Sequence, residues 1–313
     1  MALYRNALPQ LDGSPFLADG GLETTLVFHD GIDLPCFAAF TLLGDEQGRA
    51  ALRRYFEPYL RLAADRQVGF ILDTATWRAS ADWGTELGYS PEAVDDLNRA
   101  SVAFASELRK EFAGDRTPIV INGVVGPRGD GYRVDRRMTV EEARVYHRSQ
   151  IEAFRDADAD MVSAITMTYV EEAIGIAEAA QQCVMPVVIS FTVETNGQLP
   201  SGESLHYAID QVDQAMTGYP AYYMINCAHP LHLGGALAEA GLWRDRVYGI
   251  RANASTRSHA ELDAATELDA GDPAEFGQQY PELCEKLPRL SVFGGCCGTD
   301  HRHIQAICDA CVP

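Results

Sequence analysis

Cys296 and Cys297 stand side by side in Gly294-Gly295-Cys296-Cys297-Gly298-Thr299, directly after the strand-like run Leu290-Ser291-Val292-Phe293. A third cysteine, Cys227, follows another such run in Ile225-Asn226-Cys227-Ala228-His229-Pro230. Three thiolates at the ends of two strands are the ligand set of a zinc ion that keeps one position open. The flanking glycines let one tight turn supply two neighbouring ligands. Three thiolates leave the ion electron-rich, a poor Lewis acid for hydrolysis, which favours histidine and carboxylate ligands. Such a site suits a substrate thiol as its fourth ligand. Coordination removes the thiol proton at neutral pH, where a free thiol of pKa ~8.5 is only slightly ionised. The resulting sulfur can attack an activated alkyl group. Two other readings stay open at this level. A structural zinc could be closed by His229, with His301 and His303 either competing as donors or sitting in the first turn of the last helix. The cysteines could also be core residues without a metal.

The elements that must position these sulfurs form a regular series. Apolar, β-branched runs predict strands at Pro15–Asp19, Val68–Thr74, Pro118–Val125, Asp160–Thr166, Pro186–Val193, Tyr222–Cys227, Val247–Ala252 and Ser291–Gly295. Most are continuously apolar, as parallel strands covered on their outer face are. Helical periodicity fills Glu46–Gln67, Pro91–Phe112, Val140–Ala157, Glu171–Gln182 and Ser204–Met216, and every interval has room for a crossover. Eight such units predict an α/β fold, a (β/α)8 TIM barrel, with residues 1–313 as a single domain. The polar and glycine-rich signals fall after the strands, at the mouth where such barrels carry their chemistry. No linker, low-complexity segment or internal repeat interrupts the series.

Composition narrows the partners. Of 313 residues, 47% are hydrophobic and 22% charged, the profile of a soluble globular protein, and the net charge of −20 argues against nucleic acid and anionic membranes. No stretch approaches the ~20 apolar residues of a membrane span, and the N-terminus lacks a secretory apolar core. Eight cysteines without a signal peptide read as cytoplasmic thiols rather than a disulfide framework. Cys36, Cys183 and Cys284 are expected to be small buried hydrophobes, and Cys308 and Cys311 to pack a C-terminal helix.

The cysteine turn, the Asn226-Cys227 pair and Asp19-Gly20-Gly21 together resemble the homocysteine S-methyltransferase family, which includes the S-methylmethionine- and betaine-dependent enzymes. The homocysteine module of cobalamin-dependent methionine synthase is similar. Thr76-Trp77-Arg78-Ala79-Ser80, Gly126-Pro127, Ala159-Asp160, Val170-Glu171-Glu172-Ala173 and Ser190-Phe191-Thr192 agree in order, so the resemblance runs from about residue 15 to 305. It implies a zinc-bearing barrel with Cys227, Cys296 and Cys297 as ligands of Zn2+. The implied reaction moves a methyl group from a sulfonium or ammonium donor to a thiol held on the metal. It implies that Asp19 and the Gly20-Gly21 backbone hold the amino-acid end of the acceptor, and that Trp77, with Phe37, shapes the donor pocket.

Three departures bear on substrate. Ile165 stands where relatives carry a glutamate at the end of the fourth strand, and that loss of a charge-assisted hydrogen bond costs roughly 1.5–3 kcal/mol. Glu194, at the end of the fifth strand, is the candidate replacement, while Glu171 and Glu172 begin the next helix. Arg78 replaces an aromatic residue and could bind a donor carboxylate. Arg251 precedes Asn253 in a segment where Asn253 remains as a polar wall; either arginine could instead pair with local acids.

The resulting expectation is a cytoplasmic, zinc-dependent thiol S-methyltransferase with homocysteine as acceptor and methionine as product. Its partners are a small-molecule thiol and a methyl donor. No long C-terminal arm follows the cysteine turn, which points to a monomer or weak homodimer. Two rivals remain: the same chemistry on another thiol or a selenol, because of Ile165, and a non-catalytic zinc- or thiol-binding barrel.

Overall fold

The computed structural model describes residues 1–312. Eight parallel strands close in sequence order into a barrel: β1 (Phe16–Leu17), β2 (Gly69–Asp73), β3 (Ile119–Val125), β4 (Met161–Met167), β5 (Val187–Thr192), β6 (Tyr222–Asn226), β7 (Val247–Ala252) and β8 (Val292–Gly295). All eight predicted strands are present, with no end shifted by more than two residues and β7 matched at both ends. Their residues are buried almost throughout because side chains alternate between a barrel interior and a helix-covered exterior. Phe16, Ile71, Val120, Met161, Ile165, Val188, Tyr222, Met224 and Val292 fill the interior. The outer faces of the strands pack on the crossover helices in a second, larger core.

Helix starts follow local chemistry. Asp45 accepts from the Gly48 amide ahead of Glu46–Arg66, Ser90 precedes Pro91 at the start of Pro91–Phe112, and Thr139 with Glu142 forms a capping box ahead of Val140–Asp156. The crossover between β6 and β7 has no long helix. It consists of the short turns Pro230–His232, Leu233–Ala236 and Leu242–Arg246, because Pro230, Gly234, Gly235 and Gly241 interrupt helical periodicity there.

The floor opposite the cysteines is built for stability. Asp160 is fully buried at the start of β4, pairs with Arg109 at 2.6 Å and accepts from the amides of Leu3, Tyr4 and Ile121. That accounts structurally for Ala159-Asp160, which lies at the end of the barrel away from the mouth. Among the described residues, no helix is long and apolar enough to cross a membrane.

Candidate active site

Cys227, Cys296 and Cys297 converge at the mouth, and their sulfurs all lie within 4.8 Å of one another. The sulfurs of Cys227 and Cys296 are close enough to be joined as a disulfide, with Cα atoms 5.4 Å apart, and Cys297 stays free. Three sulfurs aimed at one point can pair with each other or share an ion. This soft, three-sulfur convergence fits zinc in donor type and in number of protein ligands. Burial pushes the Cys297 thiol up to about 11, Tyr132 opposes the shift, and Glu23 adds to it.

The backbone is bent to achieve this. Cys227 takes a left-handed φ of 55°, uncommon for a residue with a side chain and a mark of a constrained site. Its carbonyl accepts from Asn253 Nδ2 at 2.9 Å and lies 2.6 Å from His259 Nε2. Gly298 turns the cysteine pair with φ 79°. A side chain at Gly21 would meet the Cys296 carbonyl at 2.5 Å, so the β1 loop can lie against the cysteine turn only as glycine.

That packing revises several expected roles. The Gly21 amide already donates to the Thr299 carbonyl at 2.9 Å, so it fastens the β1 loop to the cysteine turn. Asn253 braces Cys227 from behind and does not line the cleft. Glu194 is also absent from the cleft wall; its carboxylate lies 3.1 Å from His259 Nδ1, held in a chain that leads to the Cys227 carbonyl. His229 is buried and accepts the Leu231 amide at Nδ1, and it is not one of the converging donors. Burial, reinforced by His232, drives its pKa down to about 4. His303 caps the helix His301–Cys311 with Asp300, as a first-turn residue does. Cys36 is exposed and lines the cleft, with φ 57°, rather than being a buried hydrophobe.

The cysteines sit in a cleft of about 460 Å³. Seven carboxylates line it (Asp19, Glu23, Asp73, Asp130, Asp263, Glu267 and Asp269) against two guanidiniums, Arg78 and Arg251. Such a surplus of negative charge favours a cationic ligand. Phe28, Phe37, Trp77 and Trp83 add apolar surface.

The profile described as homocysteine S-methyltransferase matches residues 16–311, nearly the whole chain. The chain belongs to the homocysteine S-methyltransferase family. Among curated relatives, Homocysteine S-methyltransferase 3 of Zea mays is 27% identical over 94% of this chain and 89% of its own length. The Selenocysteine Se-methyltransferase of Brassica oleracea var. italica is 26% identical over 94% of this chain and 88% of its own. Among solved structures, the oxidized form of the homocysteine methyltransferase MmuM from Escherichia coli shares the fold with a TM-score of 0.75 at 22% identity, covering 96% of this chain and 97% of that one. Its metallated form superposes with a TM-score of 0.72, covering 94% and 95%.

Within this family framework the chain's own departures become concrete. Ile165 lines the cleft at 8% exposure, and the next residue, Thr166, has φ 68° where the pairing of β4 with β5 shifts register. Thr166 Oγ1 lies 4.0 Å from the Cys227 sulfur and accepts from Asn226 Nδ2 at 2.8 Å. Arg251 pairs with both Asp19 and Asp73 and gives Nε to the Gly295 carbonyl at 3.2 Å. Burial opposes its charge, but Asp73 and Asp19 overcome it and hold Arg251 above its usual range. Asp19 is thereby engaged, with Tyr55 donating to its second oxygen at 2.9 Å. It lines the floor of the cleft with one hydrogen bond already on each carboxylate oxygen. Arg78 lies between the Trp77 and Trp83 rings, at 4.2 and 3.9 Å, so the guanidinium covers the aromatic face expected for a donor cation.

Glu23, Tyr132 and His259 escaped the sequence reading. Tyr132 Oη touches the Cys297 sulfur at 3.2 Å and stacks on His259 at 4.0 Å. The β1 loop brings Glu23 to the cleft wall, where its pKa rises to about 7. Burial is the main cause and Asp19 adds to it, while its own backbone amide, Arg78 and Arg251 oppose. A carboxyl whose folded-state pKa lies above its unfolded value stabilises fully below pH ~4.5, and that contribution is lost as pH rises through ~7. A shift of this size corresponds to about 3 kcal/mol. Glu23→Gln is therefore expected to gain stability over the native protein on moving from pH 4 to pH 8. Urea unfolding at the two pH values checks this, and an unchanged difference between the two proteins refutes it.

Proposed function

We propose that this protein transfers a methyl group from a sulfonium or quaternary ammonium donor to a thiol held on zinc by Cys227, Cys296 and Cys297, with homocysteine as acceptor and methionine as product. The convergence of three sulfurs on the floor of an acidic cleft carries this reading. Bound zinc would supply the acidity that strips the acceptor thiol of its proton, so no protein base is required. The chain's own residues arrange the encounter. Asn253 and His259 brace the Cys227 backbone, Tyr132 steadies Cys297, and the carboxylate-rich wall attracts the cationic donor. Bringing donor and acceptor to attack distance in a walled cleft supplies much of the rate. The same reading places the enzyme in the cytoplasm as a monomer or weak homodimer.

The second reading keeps the chemistry and changes the acceptor to another thiol or a selenol. Ile165 motivates it, and a relative named for selenocysteine methylation lends it weight. A purely binding role fits poorly with membership in an enzyme family. A matrix of donors and acceptors, read by mass spectrometry, decides between the two. Homocysteine is expected to give the highest kcat/KM with a cationic donor. A selenol or another thiol that exceeds it by about tenfold, or about 1.4 kcal/mol, overturns the acceptor assignment.

A further inference from the structure

The loop between β3 and the helix Val140–Asp156 is fastened at both ends. The Arg128 amide donates to Glu172 Oε1 at 2.8 Å, and the Met138 amide donates to the Tyr169 hydroxyl at 3.0 Å. Glu172 lies at the start of the helix Val170–Gln182, but its side chain turns inward. The carboxylate is buried and stands 2.9 Å from His147 Nε2. A buried carboxylate with two such partners is a fixed anchor rather than a solvated first-turn charge. Between the two anchors, Asp130 accepts the Tyr132 and Arg133 amides at 2.8 and 3.1 Å, which sets the backbone at the apex of the loop.

Tyr132 is thereby delivered to the cysteines from across the mouth. It follows β3, whereas Cys297 follows β8, and β1 and β2 stand between those strands in the closed barrel. Its hydroxyl reaches the Cys297 sulfur at 3.2 Å. Its ring lies on the His259 imidazole, with centroids 4.0 Å apart and planes 14° from parallel. That imidazole is itself held, because its nitrogens face the Glu194 carboxylate at 3.1 Å and the Cys227 carbonyl at 2.6 Å. Loop, ring and hydroxyl therefore each fix the phenol. A sulfur bound to a metal carries no proton, so the hydrogen of the Tyr132–Cys297 contact must then come from Tyr132. We infer that Tyr132 is a positioning residue of the metal centre: its hydroxyl fixes the Cys297 sulfur among the ligands and draws charge from that thiolate. This inference rests on the zinc site proposed above.

Cobalt in place of zinc tests it, because the thiolate-to-cobalt charge-transfer band moves with the charge on the sulfurs. Tyr132→Phe keeps the ring on His259 and deletes only the hydroxyl. In the reduced, cobalt-loaded protein the substitution is expected to shift that band to lower energy, since the sulfur it releases becomes more electron-rich. In competition with a chelator it is expected to weaken zinc about ten- to a hundredfold, the usual worth of a group that supports a metal ligand. Thermal unfolding of the metal-free protein is expected to stay unchanged, which separates this role from general packing. An unmoved band, or a native zinc affinity, overturns the role of Tyr132 and leaves the zinc site standing. Failure of the zinc site itself gives a different pattern: the native protein shows no thiolate band with cobalt, and both readings fall together.

Discussion

Cys297→Ser is expected to abolish methyl transfer and release the metal while leaving the barrel folded. The substitution removes one sulfur from a cluster spanning 4.8 Å and changes little volume at a turn already shaped by Gly298. Residues that merely support metal ligands cost about ten- to a hundredfold when lost, so a direct ligand should cost about a thousandfold or more. Zinc per chain by elemental analysis, product by mass spectrometry and thermal unfolding give three separate readouts. Cys284→Ser, outside the cleft, serves as the control and should retain both zinc and turnover. Methyl transfer that survives in zinc-free Cys297→Ser would remove the metal from the mechanism.

The largest stability effect is expected at Arg251. Its guanidinium, buried at the floor of the cleft, is the common partner of Asp19 and Asp73, and it also fastens β7 to the Gly295 carbonyl beside the cysteine turn. Arg251→Met keeps much of the side-chain volume and strands two buried carboxylates. Breaking a buried pair in this way costs about 3–5 kcal/mol. Burial already raises the pKa of Asp73 even with Arg251 nearby, so the orphaned acids should take up protons. The deficit is therefore expected to shrink at acid pH. Urea unfolding at pH 5 and pH 8 measures both effects, and a loss below about 1 kcal/mol at pH 8 would show that the pair contributes little.

Much of the architecture is legible in single residues. Apolar runs, most of them continuous because parallel strands are buried on both faces, marked all eight strands, and helical periodicity located crossovers such as Pro91–Phe112. The convergence of Cys227, Cys296 and Cys297 was legible too, since all three follow strand-like runs that a barrel brings to one mouth. Side-chain partners were not. Arg78 and Arg251 are the same residue type at the same mouth, yet one is stacked between indoles and the other is bound by two aspartates. Glu194 and Asn253 looked like cleft residues because they follow strands, but register and loop path turn them behind Cys227.

By itself, then, the amino-acid order determined the barrel, the three converging sulfurs and the family, because each depends on local periodicity or on a few residue types at strand ends. Tertiary structure alone decided which charges remain available to a ligand. An ion pair joins side chains far apart along the chain, Arg251 with Asp19 and Asp73, so it depends on how the closed barrel brings its strand ends together. That closure engages Asp19 and Asp73, while Arg78 is held between two indole rings.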